Sequence, residues 1–197
     1  MKRPMTIVSA SASIKNIAVF CASANGVDPV YRTAAVELGR ALAKGNIGVV
    51  YGGAKVGLMQ TVAEGALAAG GRVIGVIPTV LMDLEVAHDG LTELHVTDTM
   101  HTRKALIGER ADAFIALPGG FGTFEELFEV LAWQTLKLHA KPVLLLNTNG
   151  FYDKLLDFLD HSVEQGMLKA KNREIVLVAG TVDEALGLLG LRPEIAR

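Results

Sequence analysis

Residues 117–127 read LPGGFGTFEEL, so an apolar run meets a pair of carboxylates through three glycines and a threonine. Glycine keeps side chains out of the way, and main-chain N–H groups can then approach an anion closely. Where such a loop enters a helix, the unpaired N–H groups of the first turn and the positive end of the helix dipole add to the attraction. The chemistry on offer is phosphate binding, with the Thr123 hydroxyl able to cap the helix and to donate to an anion oxygen. A plain tight strand-to-helix turn is the alternative. Glu125, Glu126 and Glu129 follow, and the dipole favours negative charge there, which accounts for at least one of them. A helical projection puts Phe124, Leu127, Phe128 and Leu131 on the stripe that packs on the sheet. Glu126 then lies roughly opposite, in line with Val130, Trp133 and Lys137. A carboxylate sharing a stripe with Val and Trp implies a second packed surface. Beside an anion loop, it is a candidate for acid or base chemistry.

Cations come from TMHTRKALIGER, residues 99–110. Arg103 and Lys104 fall in the first turns of an expected helix, where the dipole disfavours positive charge. Either they are a solvated pair, or Arg103 holds a substrate or pairs with Glu126. A second glycine loop, YGGAKVGLMQ at 51–60, lacks the Walker pattern because neither Gly52 nor Gly57 leads to Lys-Ser/Thr at the required spacing. Gly52 and Gly53 either line a second side of a nucleotide or serve strand-to-helix packing. The dinucleotide fingerprint also fails, since Glu125 stands where the third glycine after Gly120 and Gly122 belongs. The five histidines show no zinc-ligand spacing, so no metal site is expected. Glu85 and His88 read as an ordinary surface pair. Cys21 reads as a small core residue at a strand end, with Ser23 beside it able to line a pocket.

The elements that position these residues alternate between short apolar runs and helical patterns, the signature of βαβ units. Strands are expected at NIAVFCAS, IGVVYG, RVIGVIP, DAFIALPG, PVLLLN and EIVLVAG. Helices are expected near 29–44, 57–70, 99–110, 122–138, 151–165 and 181–189. Segment 79–96 breaks the alternation and reads as a loop with a small extra strand beside the sheet. The fold class is α/β: a single doubly wound, Rossmann-like domain over 15–197, with a mostly parallel sheet, helices on both faces, and a loose N-terminal tail over 1–14. Ligands in such folds sit outside the carboxyl ends of the strands. CASAN at 21–25 and the two glycine loops occupy such ends.

The chain of 197 residues is half apolar, enough for a substantial core. With 19 Lys+Arg against 21 Asp+Glu, it carries no electrostatic footprint for a nucleic-acid polymer or an anionic membrane. Any bound anion should be small and held locally. One cysteine excludes an internal disulfide framework. The N-terminus is poor signal-peptide material, and no apolar run approaches the length of a membrane span, so a cytoplasmic protein is expected.

Taken together, GGAKVGLM, MHTRK and PGGFGTFEE resemble the LOG ("lonely guy") family of cytokinin riboside 5′-monophosphate phosphoribohydrolases, an older description of which is possible lysine decarboxylases. The family's P-G-G-x-G-T-x-x-E pattern matches Pro118, Gly119, Gly120, Gly122, Thr123 and Glu126, and its M-H-x-R-K pattern matches Met100, His101, Arg103 and Lys104. The chain departs at Ala54 and Gln60, where members more usually read GGG and GLMG. The resemblance implies hydrolysis of the N-glycosidic bond of adenine-type nucleoside 5′-monophosphates, without a cofactor, to free base and ribose 5-phosphate. It implies Arg103 and Glu126 as the catalytic pair. Substrate contacts are then expected from the phosphate loop Pro118, Gly119, Gly120, Phe121, Gly122 and Thr123, and from Ser23, Gly53, Met100 and Lys104. It further implies a homodimer paired through helices near the site, with the stripe Glu126, Val130 and Trp133 needing a partner. Three rivals remain: a pyridoxal-phosphate decarboxylase, a nucleotide sensor without turnover, and a molybdenum-cofactor carrier.

Overall fold

The computed structural model describes residues 14–85 and 87–191. The expected tail therefore lies outside the described residues except for Ile14, which packs against the core. Seven strands form one sheet: β1 (Asn16–Phe20), β2 (Gly48–Tyr51), β3 (Val73–Pro78), β4 (Glu93–Thr97), β5 (Ala113–Ala116), β6 (Val143–Leu146) and β7 (Val176–Ala179). Their order is β4-β3-β2-β1-β5-β6-β7, and every adjacent pair is parallel. The order reverses between β1 and β5. Chains leaving these neighbouring strands depart to opposite faces, which opens a crevice at their carboxyl ends.

Among the described residues there are eight α-helices: α1 (Pro29–Lys44), α2 (Gly57–Ala68), α3 (Thr79–Glu85), α4 (Met100–Arg110), α5 (Phe121–Thr135), α6 (Asp153–Glu164), α7 (Ala170–Arg173) and α8 (Val182–Leu188). Leu38 of α1, Leu58 of α2 and Ala185 of α8 join one core cluster with Ile17, Val49 and Ile115 of the sheet. Ile107 of α4 and Leu127 of α5 join another with Ala18, Phe114 and Leu145. Successive residues of β1 and β5 thus feed opposite cores. This explains why the strands read as continuous apolar runs rather than as an alternation.

Segment 79–96 holds the small extra strand expected beside the sheet but is not otherwise a loop. Thr79–Glu85 is helical, and Glu93–Thr97 pairs with β3 over five residues as a full edge strand. Its residues alternate between half-buried and exposed, with Leu94 and Val96 outward, so no apolar run marks it. Short, charged edge strands of this kind resist pairing with other chains. His88 is also unlike the expected surface residue: it is buried, and its Nδ1 accepts from the Gly90 N–H at 3.1 Å.

The start of α2 is brought against the end of β1 by Gly57. Its φ is +54°, and a Cβ there would stand 2.7 Å from the carbonyl oxygens of Ala22 and Ala24. The Gly57 N–H donates to Asn25 Oδ1 at 3.0 Å and the Leu58 N–H to the Ala22 carbonyl at 2.9 Å. Both a left-handed backbone and an unyielding wall therefore oppose a side chain. Gly57→Ala is expected to cost about 2 kcal/mol or more, read as a lower urea midpoint at unchanged m-value; a loss within experimental error would show that the β1–α2 junction is loose.

Candidate active site

Helix α5 begins at Phe121 with Gly120 as N-cap, and no side chain caps it. The expected cap, Thr123, instead lies inside the first turn and is buried. The N–H groups of Phe121, Gly122 and Thr123 have no intrahelical carbonyl to donate to and remain available for an anion. Gly119 makes room for Thr123, because a Cβ on Gly119 would strike the threonine Oγ1. Behind the loop, the Pro118 carbonyl accepts from the Ala22 N–H at 3.2 Å, and the Leu117 carbonyl accepts from the Tyr152 hydroxyl at 2.6 Å. The loop is thus tied to both the end of β1 and the start of α6.

Helix α4 opens with a reciprocal cap. The Thr102 N–H donates to Thr99 Oγ1 and the Thr99 N–H to Thr102 Oγ1, both at 3.1 Å. This fixes the turn that carries Arg103, which is only 6% exposed. Its Nε donates to the Val76 carbonyl at 3.1 Å, and its Nη1 lies 3.8 Å from Met100 Sδ and 3.7 Å from Glu126 Oε1. A β3 carbonyl and a carboxylate therefore hold a cation that the helix dipole opposes. Lys104 points elsewhere. Its Nζ pairs with Glu125 and, at 2.9 Å, with Glu129.

The Glu126 side chain is 13% exposed, and its Oε1, fully buried, makes no hydrogen bond among the described residues. Burial raises its carboxyl pKa from 4.5 to about 7, with Arg103 pulling the other way, Glu125 adding to the rise, Lys104 opposing it and Glu129 adding again. Desolvation wins because 3.7 Å is too long for a charge-assisted hydrogen bond. Burial also pushes the Cys21 thiol far above its ordinary range, with Glu126 adding to the effect, so this cysteine is not a thiolate nucleophile.

These groups meet in a cleft of about 160 Å³ at the β1/β5 switch point. That is smaller than the few hundred Å³ typical of a whole ligand site, so it can enclose only part of a larger ligand and leaves the rest at the open mouth. Ser23, Met100, Arg103, Gly120, Phe121, Gly122, Thr123 and Glu126 line it. Four expected residues do not. Lys104 is taken by its two carboxylates, and Pro118 and Gly119 stand behind the loop. Gly53, at φ +77°, faces Ile77 and gives its carbonyl to the His88 N–H. Its neighbour Gly52 lines the cleft instead, together with Met59 of α2 and Cys21. Among the described residues, no group of three potential ligands is placed to hold a metal ion, and no helix is long and apolar enough to cross a membrane.

The α5 face differs from the helical projection. Thr123, Leu127, Val130 and Leu131 are buried, whereas Phe128 is exposed. Val130 thus belongs to the core, and Gly108 of α4 lies against the Trp133 ring, with a Cβ built on it 3.4 Å away. The surface that receives Glu126, Val130 and Trp133 includes α4 of the same chain. The apolar residues left outward on α5 are Phe121 at its start, Phe128, Ala132 and, just past its end, Leu136.

Residues 59–189 match the family described as "Possible lysine decarboxylase". A cytokinin riboside 5′-monophosphate phosphoribohydrolase of Rhodococcoides fascians is 48% identical over 189 residues, covering 94% of this chain and 96% of its own. An Arabidopsis thaliana protein of the same description is 45% identical over 175 residues, covering 89% and 82%. Among solved structures, the molybdenum cofactor binding protein of Rippkaea orientalis aligns with a TM-score of 0.69 at 25% identity, covering 91% of this chain and 98% of that one.

The raised carboxyl of Glu126 has a thermodynamic consequence. The folded protein holds this proton more tightly than the unfolded chain does, so its contribution to stability is present below pH 4.5 and is lost as pH rises through about 7. Relative to Glu126→Gln, the wild type is expected to lose roughly 3 kcal/mol across that window. Urea denaturation of both proteins at a series of pH values checks this, and a difference that does not vary with pH would show that the carboxyl is not held in an unfavourable place.

Proposed function

Since the chain belongs to the possible lysine decarboxylase family, which here takes in the cytokinin riboside 5′-monophosphate phosphoribohydrolases, we propose that it hydrolyses the N-glycosidic bond of adenine-type nucleoside 5′-monophosphates, including AMP and N6-substituted relatives. The observation that carries this reading is Glu126: a largely buried carboxylate with a free oxygen, one helical turn from the glycine loop and beside Arg103. The GGFGT loop and the first N–H groups of α5 take the 5′-phosphate. This places the ribose over Glu126. As the C1′–N bond breaks, its electron pair leaves with the base and positive charge builds on the sugar, as in glycoside hydrolysis. Ionised Glu126 stabilises that charge and takes a proton from water, whose oxygen bonds to C1′ to complete ribose 5-phosphate; the departing base takes up one proton from solvent, and release of the Glu126 proton to solvent regenerates the carboxylate. A pKa of about 7 suits this work, because the carboxylate is populated at neutral pH yet basic enough to accept the proton. Arg103 biases Glu126 toward its charged form.

The family description suggests lysine decarboxylation instead. That chemistry needs a Schiff-base lysine, and no lysine lines the cleft among the described residues. The carrier reading explains the glycine loop but gives no role to a carboxylate tuned near neutrality. We also propose a homodimer. Phe128, Ala132 and Leu136 support it, because they form an exposed apolar stripe at i, i+4 and i+8 on α5, and twofold pairing is the commonest closure. Light scattering at micromolar protein is expected to give twice the chain mass, and a monomer mass would remove the proposal.

The enzymatic test is release of free base from a nucleotide panel, followed by chromatography. AMP is expected to be cleaved and adenosine at least about a hundredfold less efficiently, the loss that several charge-assisted hydrogen bonds to phosphate can supply. Glu126→Gln is expected to bind AMP but to turn over at least about a hundredfold more slowly. Glu125→Gln should be mild, because Glu125 is half exposed and its partner Lys104 retains Glu129. Equal cleavage of AMP and adenosine would reduce the glycine loop to a turn.

A further inference from the structure

Two adjacent glycines at the end of β2 do different work. Gly53 needs glycine for its backbone, with φ at +77°. Gly52 has no such backbone requirement; what it lacks is space. A methyl group built on it would fall within contact of Arg103 Nη2 and Met59 Cε, with Arg103 Cζ at 3.3 Å. No main-chain atom is among those neighbours. Both obstructed atoms are the ends of flexible side chains, so a methyl group would displace the guanidinium rather than break the sheet.

We propose that Gly52 is a positioning residue: the missing side chain just past β2 is the socket that leaves the Arg103 guanidinium room to face Glu126. Three contacts define the socket. The Val76 carbonyl holds Nε from β3, Glu126 faces Nη1 from α5, and the bare Cα of Gly52 backs Nη2. The first two orient the guanidinium plane only while the third leaves it room. The effect reaches the carboxylate because Arg103 lowers the Glu126 pKa more than any other group does. The other charged or titratable groups around Glu126 are Lys104 of α4, Glu125 and Glu129 of α5, and Cys21 just past β1, and none of them is among the three atoms nearest a Cβ built on Gly52. A displaced Arg103 therefore leaves the desolvated carboxyl less opposed, and its pKa rises further. Ionised Glu126 becomes scarcer at neutral pH. This inference rests on the proposed hydrolysis for its kinetic consequence but not for its electrostatic one.

The test is Gly52→Ala. Its thermal midpoint is expected within about 4 °C of wild type. AMP turnover is expected to fall on the order of a hundredfold, as a displacement of about 1 Å at a catalytic site allows, with KM changed only a few-fold. The acidic limb of the pH–rate profile should move up by about one pH unit. A residue that serves only packing would lower the amount of folded enzyme and leave that limb in place. Titration of Glu126 by carbon-13 NMR, assigned with Glu126→Gln, reads the same shift without any turnover. An upward shift in Gly52→Ala sustains the proposal even if AMP is not cleaved, a result that would defeat only the hydrolase reading. An unmoved titration overturns the proposal. Should Gly52→Ala fail to fold, Gly52→Ala combined with Arg103→Lys decides. Lysine ends short of the guanidinium branch that the methyl group meets, so the double variant should fold. If it too is unfolded, Gly52 serves packing and the socket is refuted.

Discussion

A cation and a carboxylate lie out of water 3.7 Å apart, between α4 and α5, and the site depends on that spacing. Removing two charges from water costs several kcal/mol each, and close, hydrogen-bonded geometry is the usual compensation. Here the compensation is withheld from one partner. Arg103 gives its Nε to the Val76 carbonyl and keeps only a longer-range hold on Glu126, whose Oε1 is left without a donor. A bidentate contact would drive the carboxyl well below its ordinary pKa and make it a poor base. Complete separation would leave it protonated at neutral pH. The intermediate distance holds it at about 7.

The surrounding charges keep this balance from being short-circuited. Helix α5 supplies three carboxylates and α4 two cations to one helix–helix seam. Lys104 engages Glu125 and Glu129, so Arg103 is left facing Glu126 alone. The side chains at 125 and 126 are adjacent in sequence yet separated by about 100° around the helix, which is enough to send one to the rim and the other into the cleft. The reciprocal Thr99–Thr102 cap then matters beyond helix propensity. It fixes the first turn of α4, and with it the direction of a guanidinium that the helix dipole would otherwise repel.

Much of this was legible in the chain. Six apolar runs announced six strands, because strands covered on both faces bury every residue and need no alternation. The seventh strand was legible only as a small extra strand without bounds, for the converse reason: at an edge, Glu93, His95 and Thr97 interleave with half-exposed Leu94 and Val96. On α5 the i, i+3, i+4, i+7 stripe fails at Phe128, which is exposed, while small Thr123 takes the inward place beside Gly119. Arg103 and Glu126 could be picked out by type and by their places in the two motifs. The near-neutral carboxyl could not, because it arises from burial and from a distance across two helices. Nor could the division of labour between Gly52 and Gly53, which depends on a side chain some fifty positions away meeting one of them and not the other.

The same dependence explains how one frame can serve a carrier and a hydrolase. A parallel sheet with its order reversed between β1 and β5 always opens a crevice there, and a glycine loop entering a helix always offers N–H groups to an anion. The resemblance to a molybdenum-cofactor binding protein, at a TM-score of 0.69, extends to that frame. Frame and loop bind; neither activates water. Turnover of a glycosidic bond further requires a group that can take a proton at neutral pH while held against the sugar. A carboxylate in open solvent would be ionised but weakly basic, and one fully buried without a counter-charge would stay protonated. Only burial opposed by a cation at a controlled distance meets both demands. On this reading the two parts that separate a hydrolase from a binding protein of the same shape are the Arg103–Glu126 spacing and the side-chain-free strand end that permits it.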